Sequence, residues 1–364
     1  MENIMTPRHE FACHSDNGLR PDVPGGWVLP VLVRLEATSG RCLISPLALA
    51  GAERRSTVFA ALAALESDHG MPPAFADLPL EWFVEWLLSA EPAAIVTAFY
   101  DDVPGLASAI ARIGRDPLRA PADYPLLVAL LSDEDPRGRR QAQCLLQADS
   151  VSSTLLRILD RLRTAYLRPG VVRAIRTPEV ADRVEQITDF LLQSCRRLTE
   201  DDLARSLEEG ALFNLHDWAS HMLLWNGDEL CDLPDDEDLR FLRSAREFGR
   251  ISERYGSDLA RDSSGKILNA ALGVAAYAEW KHVPVLVELV RMNDGADTVW
   301  VCQDLHGPDG AQLSSRLEQD IRAALRRRGI LSLAVTHRPG VAFEVVERFA
   351  HVEPASVLRV CEAA

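Results

Sequence analysis

The sequence predicts a mainly α protein: an irregular helical bundle or HEAT-like helical domain, followed by a small α+β module. Three observations carry that prediction. Apolar residues recur at helical spacing in one segment after another from residue 56 to about 225. A hairpin signal, Asn293-Asp294-Gly295 between two strand-like runs, appears late in the chain. The charge also changes character near residue 240. Residues 1–240 hold 38 acidic and 23 basic side chains and residues 241–364 hold 16 of each, so the whole net charge of −15 sits in the first part.

The elements follow in order. Residues 1–26 are polar and broken by Pro21, Pro24, Gly25 and Gly26, which reads as an arm. Trp27 to Leu35 reads as a short apolar strand, with Pro30 confining it to an edge. Ser56 is the expected N-cap of a helix running to Leu65, with Val58, Phe59, Leu62 and Leu65 on one face. Helices are then expected over 78–89, 104–114, 124–131, 138–147, 150–167, 177–198 and 199–225. Thr177-Pro178-Glu179 and Thr199-x-x-Asp202 are helix starts. The helix starts fall at uneven intervals, so no fixed repeat is present.

The acidic stretch NGDELCDLPDDED (226–238) is the expected connection. The organisation it implies is an N-terminal arm and short extended segment over 1–55, a helical domain over 56–228 and an α+β domain over 239–364. Within the last, a helix is expected from Leu239 to about Tyr255, strands over 284–291 and 298–304, and an amphipathic helix over 314–329. A third strand is expected over 330–337 and a fourth over 341–349.

Composition narrows the function. The net acidity disfavours wholesale binding to nucleic acid or anionic membrane. No apolar run nears the roughly 18 residues a membrane span needs. The stretch MENIMTPRHEFACHSDNG lacks a basic start before an apolar core, so no secretory signal and a cytoplasmic location are expected. Seven scattered cysteines, none two residues from another, write neither a zinc knuckle nor a redox pair and read as small apolar residues. Lysine occurs only at Lys266 and Lys281; every other basic residue is arginine.

Several constellations touch on chemistry. His9–His14 and His216–His221 imitate a metalloprotease helix but are five apart, which puts the two rings on different faces. Asp304, His306 and Asp309 form a site-like turn after a strand, and His337 ends the next strand. Asp304, His306 and Asp309 are the candidate metal ligands; Glu288, Asp304, His306 and His337 are the candidate catalytic groups of a metal-dependent hydrolase or nuclease. The nuclease pattern lacks its Glu-x-Lys, and period-2 alternation alone places Glu288 on a polar strand face. Asp262-Ser263-Ser264-Gly265-Lys266 lacks phosphate-loop order and reads as a turn. Arg243, Arg246, Arg250 and Arg254 recur as one helical stripe, echoed by Arg322 and Arg326. The stripe reads either as phosphate or partner contacts or as ordinary pairs with neighbouring acids.

The stretch from about 242 to 330 resembles the C-terminal part of PcfJ-like proteins, which are associated with plasmids and other mobile elements. Its residues are Phe248-Gly249 and Arg254-Tyr255, the run PVLVELVR, a Trp300-centred strand, the turn His306-Gly307-Pro308-Asp309-Gly310, and a helix ending in Arg-Gly-Ile. Where a His/Asn-Cys pair is expected from the resemblance, this chain reads Gly256-Ser257-Asp258, so shared thiol chemistry is not expected. The resemblance covers about a quarter of the chain and brings no activity with it.

These readings converge on a non-catalytic adaptor, regulator or inhibitor, working without a cofactor through an acidic helical surface on a partner with a basic surface. The alternatives are nucleic-acid binding through the C-terminal arginines and, behind it, the metal-dependent enzyme.

Overall fold

The computed structural model describes residues 23–67, 70–210, 214–261, 265–294 and 297–332. Over these residues the chain is a succession of sixteen short α-helices with a five-stranded sheet near its C-terminal end. It packs as two compact units: residues up to Glu134 together with Leu145–Leu156, and Asp135–Cys144 together with the chain from Arg157 onward. The expected connection at 226–238 therefore lies inside the second unit. No helix among the described residues is long and apolar enough to cross a membrane.

The first unit is built round α3 (Ala52–Leu65), whose residues from Arg55 to Ala64 are all buried. An alanine-rich helix packs against neighbours on every side because its methyl groups let them approach closely. Here α1 (Val28–Ser39), α4 (Leu80–Ser89), α5 (Pro92–Tyr100), α6 (Leu106–Ala111) and α7 (Asp123–Ser132) all pack on it. Two polar ties hold it: the Tyr100 hydroxyl donates to the Ala60 carbonyl at 2.8 Å, and Arg55 Nε donates to the Arg115 carbonyl at 2.8 Å. Two expectations are corrected here. Trp27 to Leu35 is not a strand but the start of α1, which buries Val28, Val31, Leu32 and Leu35. Pro30 is harmless at the third helical position, where an N–H would have no acceptor anyway. Ser56 is not an N-cap; α3 begins four residues earlier, and the Ser56 hydroxyl donates back to the Glu53 carbonyl.

α2 (Ile44–Leu49) completes the first unit's described helices. α8 (Pro136–Gln147) and α9 (Ser153–Arg161) supply residues to both units. The expected helix over 150–167 stops at Arg161 and gives way to a 3-10 turn at Thr164–Tyr166. In the second unit come α10 (Pro169–Ala174), α11 (Pro178–Ser194), α12 (Glu200–Glu209) and α13 (Leu215–Asn226). Both sequence-read starts are caps. Thr177 Oγ1 accepts from Val180 N, and Thr199 with Asp202 forms a reciprocal capping box. Arg163 ties the region together by pairing with Glu185 on α11, Asp189 on α11 at 3.0 Å and Glu200 on α12 at 2.8 Å.

The sheet runs β1 (Leu239–Phe241), β2 (Ala275–Trp280), β3 (Val285–Asp294), β4 (Asp297–His306), β5 (Leu331–Ser332), with spatial order equal to chain order. The first four strands are antiparallel; β5 joins β4 in parallel after α16 (Ser315–Arg327). The expected hairpin is present, with Asp294 opposite Asp297. The expected helix from Leu239 is corrected. Leu239–Phe241 pairs with β2, and α14 (Ala245–Tyr255) starts only after Ser244, whose hydroxyl accepts from Glu247 N. β2 was hidden in the sequence because AAYAEW has no period-2 alternation; it is buried on both faces. Of the strand expected over 330–337, Leu331–Ser332 is described; the rest, and the run 341–349, lie outside the described residues.

Strand alternation then sorts the side chains. Leu239, Phe241, Ala276, Ala278, Val287, Leu289 and Cys302 share one apolar core with Ile321, Ala324 and Leu325 of α16. The opposite face carries Tyr277, Glu279, Glu288, Asp304 and His306, and α14 and α15 (Lys266–Ala271) meet it.

Arginines close the C-terminal ends of α4, α8 and α9, and this makes a stability prediction. Arg112 Nη1 donates to the carbonyls of Leu145 (3.2 Å), Leu146 (2.9 Å) and Ala148 (2.6 Å), the frayed end of α8. Arg112→Met is expected to cost about 1–3 kcal/mol, because it strips donors from partly buried carbonyls. Arg119→Met, on an exposed side chain, should stay within about 0.5 kcal/mol of the parent protein in chemical denaturation.

Candidate functional site

Glu288 on β3 is the centre of the polar sheet face. It is buried, and β-register sets Tyr277 on one side of it and Asp304 on the other. A carboxylate there must be paired, because an isolated buried charge costs several kcal/mol. Lys266 at the start of α15 places Nζ 3.1 Å from Glu288 Oε2, and the same ammonium lies 3.1 Å from Asp258 Oδ1. His306 at the end of β4 brings Nε2 to 3.7 Å from Glu288 Oε2 and 3.5 Å from Asp304 Oδ2. The result is an alternating chain, Asp258–Lys266–Glu288–His306–Asp304, drawn from a loop, a helix and two strands.

The register slips between Glu288 and Leu289, so that Glu288 faces Asp304 while Leu289 faces Cys302. This bulge leaves Gln303 unpaired and sets Asp304 and His306 on the polar face while Cys302 enters the apolar core. The turn that follows packs against the end of α14. A Cβ on Gly256, at φ +60°, would lie 3.5 Å from the Asp309 Cα. Asp309 itself holds φ 53°, a conformation few side chains other than Asn and Asp adopt.

The electrostatics follow from this packing. Burial by itself would raise the Glu288 carboxyl, but the hydrogen bond from His306 and the Lys266 ammonium outweigh it and hold its pKa below the ordinary range. Burial works against the charge on Lys266, yet Glu288 and Asp258 raise its pKa. The His306 pKa is raised, chiefly by its hydrogen bond to Glu288. Burial and then the Glu288 charge push the Tyr277 phenol up, so it stays a donor.

The sequence-read candidates therefore divide. Glu288, Asp304 and His306 do come together. His337 lies outside the described residues. Asp258, Lys266 and Tyr277 were missed. In the sequence Asp258 stands out only as a departure from the PcfJ-like pattern and Lys266 only as the end of a turn, and no short-range spacing connects them. Among the described residues no three His, Cys, Asp or Glu side chains are placed to hold a metal ion. The place of a cation between Asp258 and Glu288 is taken by Lys266.

The arginine stripe is revised. Arg243 precedes α14 and is turned back onto the Leu233 carbonyl (2.7 Å) and Asp235 (2.9 Å). Arg322 is buried and bonds Glu318 (2.9 Å), Ser332 Oγ (2.7 Å) and Cys302 Sγ (3.8 Å), so it cannot reach a phosphate. Arg326 donates to the Arg322 carbonyl at 3.4 Å. What remains on α14 is Arg246, Arg250 and Arg254, all exposed; the last two lie 3.9 and 2.9 Å from Glu279. His216 and His221 of α13 are separated as their spacing predicts: the first is half-buried against Gly265, the second exposed beside Trp225.

Two further features belong to no sequence candidate. A pocket of about 390 Å³ opens among Glu229, Cys231, Asp232, Arg291 and Trp300, floored by small aliphatic residues. In the first unit, α4 leaves Trp82 58% exposed and Leu78 44% exposed, with Asp77, Glu81, Glu85 and Glu91 all exposed around them. The buried thiols of Cys144, Cys195 and Cys302 are pushed up to about 11, 12 and 11 by burial, as inert core cysteines are.

Comparison of the chain with family models, curated proteins and solved structures returns no match. The PcfJ-like resemblance thus rests on the residues quoted above.

The cluster makes a pH prediction. His306 has a raised folded-state pKa, so its stabilisation is complete below the unfolded value of about 6.5 and disappears as pH rises through the folded value. Glu288 and Asp304 face the ring from the two strands and Lys266 opposes its charge from α15. His306→Gln should therefore lower the melting temperature more around pH 6 than around pH 9; an equal loss at both would contradict the pairing.

Proposed function

We propose that this protein is a non-catalytic adaptor, regulator or inhibitor that presents an acidic helical surface to a basic macromolecular partner. The observation that carries this reading is the way its arginines are used. Arg54 donates to the Leu87 and Ala90 carbonyls, Arg112 to the end of α8, Arg137 to Asp160 and Leu162, and Arg140 to Thr164. A guanidinium nitrogen held on a carbonyl keeps its charge but is turned toward the backbone rather than toward a surface carboxylate. The exposed acids of the helical region, among them Asp77, Glu81, Glu91, Asp101, Asp102 and Asp116, face solvent, and the net charge of the region is negative.

The sheet-face cluster supports the same reading. Each cation in it already has two carboxylates, and Glu288 receives Lys266, His306 and Tyr277 together. Such a saturated network orders the fold rather than offering an open coordination or acid–base position. The nucleic-acid reading loses Arg243 and Arg322 and keeps the exposed Arg246, Arg250, Arg254 and Arg326, with Arg250 and Arg254 leaning on Glu279. A cytoplasmic location in a host that carries mobile elements goes with the proposal.

The test is affinity purification of the full chain from its native host, with protein and nucleic acid both quantified. The expected result is a stoichiometric basic protein released by salt, with Arg246→Glu/Arg250→Glu/Arg254→Glu unchanged in yield. Nucleic acid in place of protein, lost in that triple variant, would overturn the proposal.

A further inference from the structure

The acidic surface of the first unit contains one place built differently from the rest. α4 buries Phe83, Val84 and Leu87 and turns Glu81, Trp82, Glu85 and Ser89 outward, spacings that share one helical face. Leu78 lies four residues before Trp82, and Asp77 and Glu91 flank the helix. Trp82, 58% exposed, offers a partner a large apolar ring to cover beside these acids.

The platform beneath is rigid. Trp86 packs on Phe75 (ring centroids 4.7 Å apart) and Phe83 (6.0 Å), and Phe83 in turn meets Phe99 at 6.2 Å. The C-terminal carbonyls of α4 are closed by Arg54. The helix backbone that carries Trp82 is thereby held in place, so the anchor is presented from an ordered element.

The charges choose the occupant. Four carboxylates, those of Asp77, Glu81, Glu85 and Glu91, flank the two apolar side chains, against Arg41, paired with Glu85 at 3.0 Å, and Arg54, turned onto the Leu87 and Ala90 carbonyls. A second copy of this chain would bring the same acids and be repelled, and an anionic membrane or nucleic acid would be repelled for the same reason. A segment that alternates apolar residues with arginine satisfies both parts: its apolar side chains cover Leu78, and its guanidinium stacks on Trp82 while bonding Glu81. We propose that the outward face of α4, anchored by Trp82, is the docking site for an arginine-bearing amphipathic segment of the partner. The inference rests on the acidic-surface reading and narrows it to one helix.

The experiment uses the full chain and a synthetic amphipathic leucine–arginine peptide, with a leucine–glutamate peptide as control, followed by calorimetry. The arginine peptide should bind in a salt-sensitive way and the glutamate peptide should not. Trp82→Ala and Asp77→Lys/Glu81→Lys are each expected to weaken binding at least about tenfold with an unchanged melting temperature, and Trp82→Phe to retain part of it. Asp101→Asn/Asp102→Asn, away from α4, should leave it unaltered. Peptide binding that survives Trp82→Ala but falls on neutralising Asp101 and Asp102 would overturn the α4 site and leave the acidic-surface reading standing. No arginine-peptide binding at all would overturn both. Dimerisation of the protein through Trp82, read by sedimentation, would replace the proposed occupant with a second copy.

Discussion

Short helices end often, and every end exposes carbonyls that have no partner within the helix. Among the described residues sixteen helices raise this demand, and at the ends of α4, α8 and α9 arginine is what meets it. The forks of Arg54, Arg112, Arg137 and Arg140 reach the carbonyl ends of neighbouring helices or the turns just after them. A cation there also suits the negative end of the helix dipole. At Arg112 a single nitrogen, Nη1, serves all three carbonyls, those of Leu145, Leu146 and Ala148. The surface inherits the consequence, because arginines committed to the backbone leave the acids of the same helices to solvent. Fold and proposed function are in this way two results of one constraint.

The C-terminal module answers a different demand. β2 and the start of β3 are buried on both faces, yet one face carries Glu288 and Glu279. Each buried carboxylate recruits cations from the helices above it, Lys266 for Glu288 and Arg254 for Glu279. These pairs fix where α14 and α15 lie on the sheet, and the β4 bulge aims His306 at the same carboxylate. Removing one partner from such a network costs more than the network contributes as a whole, so its weight lies in specifying a single arrangement.

Much of the fold was legible. The helical run, the caps at Thr177 and Thr199, the β3–β4 hairpin and the amphipathic α16 all have local causes, namely a side-chain cap, a tight turn or a regular apolar period. The misreadings have causes of equal clarity. Pro30 looks like a breaker unless the helix is known to start two residues before it. Leu239–Phe241 continues a helical pattern until β2 appears beside it, and β2 is itself a run of alanines whose strand state comes from burial. The site was half legible: Glu288, Asp304 and His306 sit on recognisable strands, whereas Asp258 and Lys266 lie in segments with no signal of their own.

By itself the sequence determined the class of the protein, helical then α+β, and the uneven distribution of its charge, because both follow from composition and short-range periodicity. Only the tertiary structure decided which charges remain available. Arg243 and Arg322 look like members of an exposed stripe, and folding turns one onto a loop carbonyl and buries the other under Cys302 and Ser332. Trp82 looks like one more apolar residue of an amphipathic helix, and packing leaves it outside. Availability depends on what lies across from a side chain in space, and no local pattern in the chain encodes that.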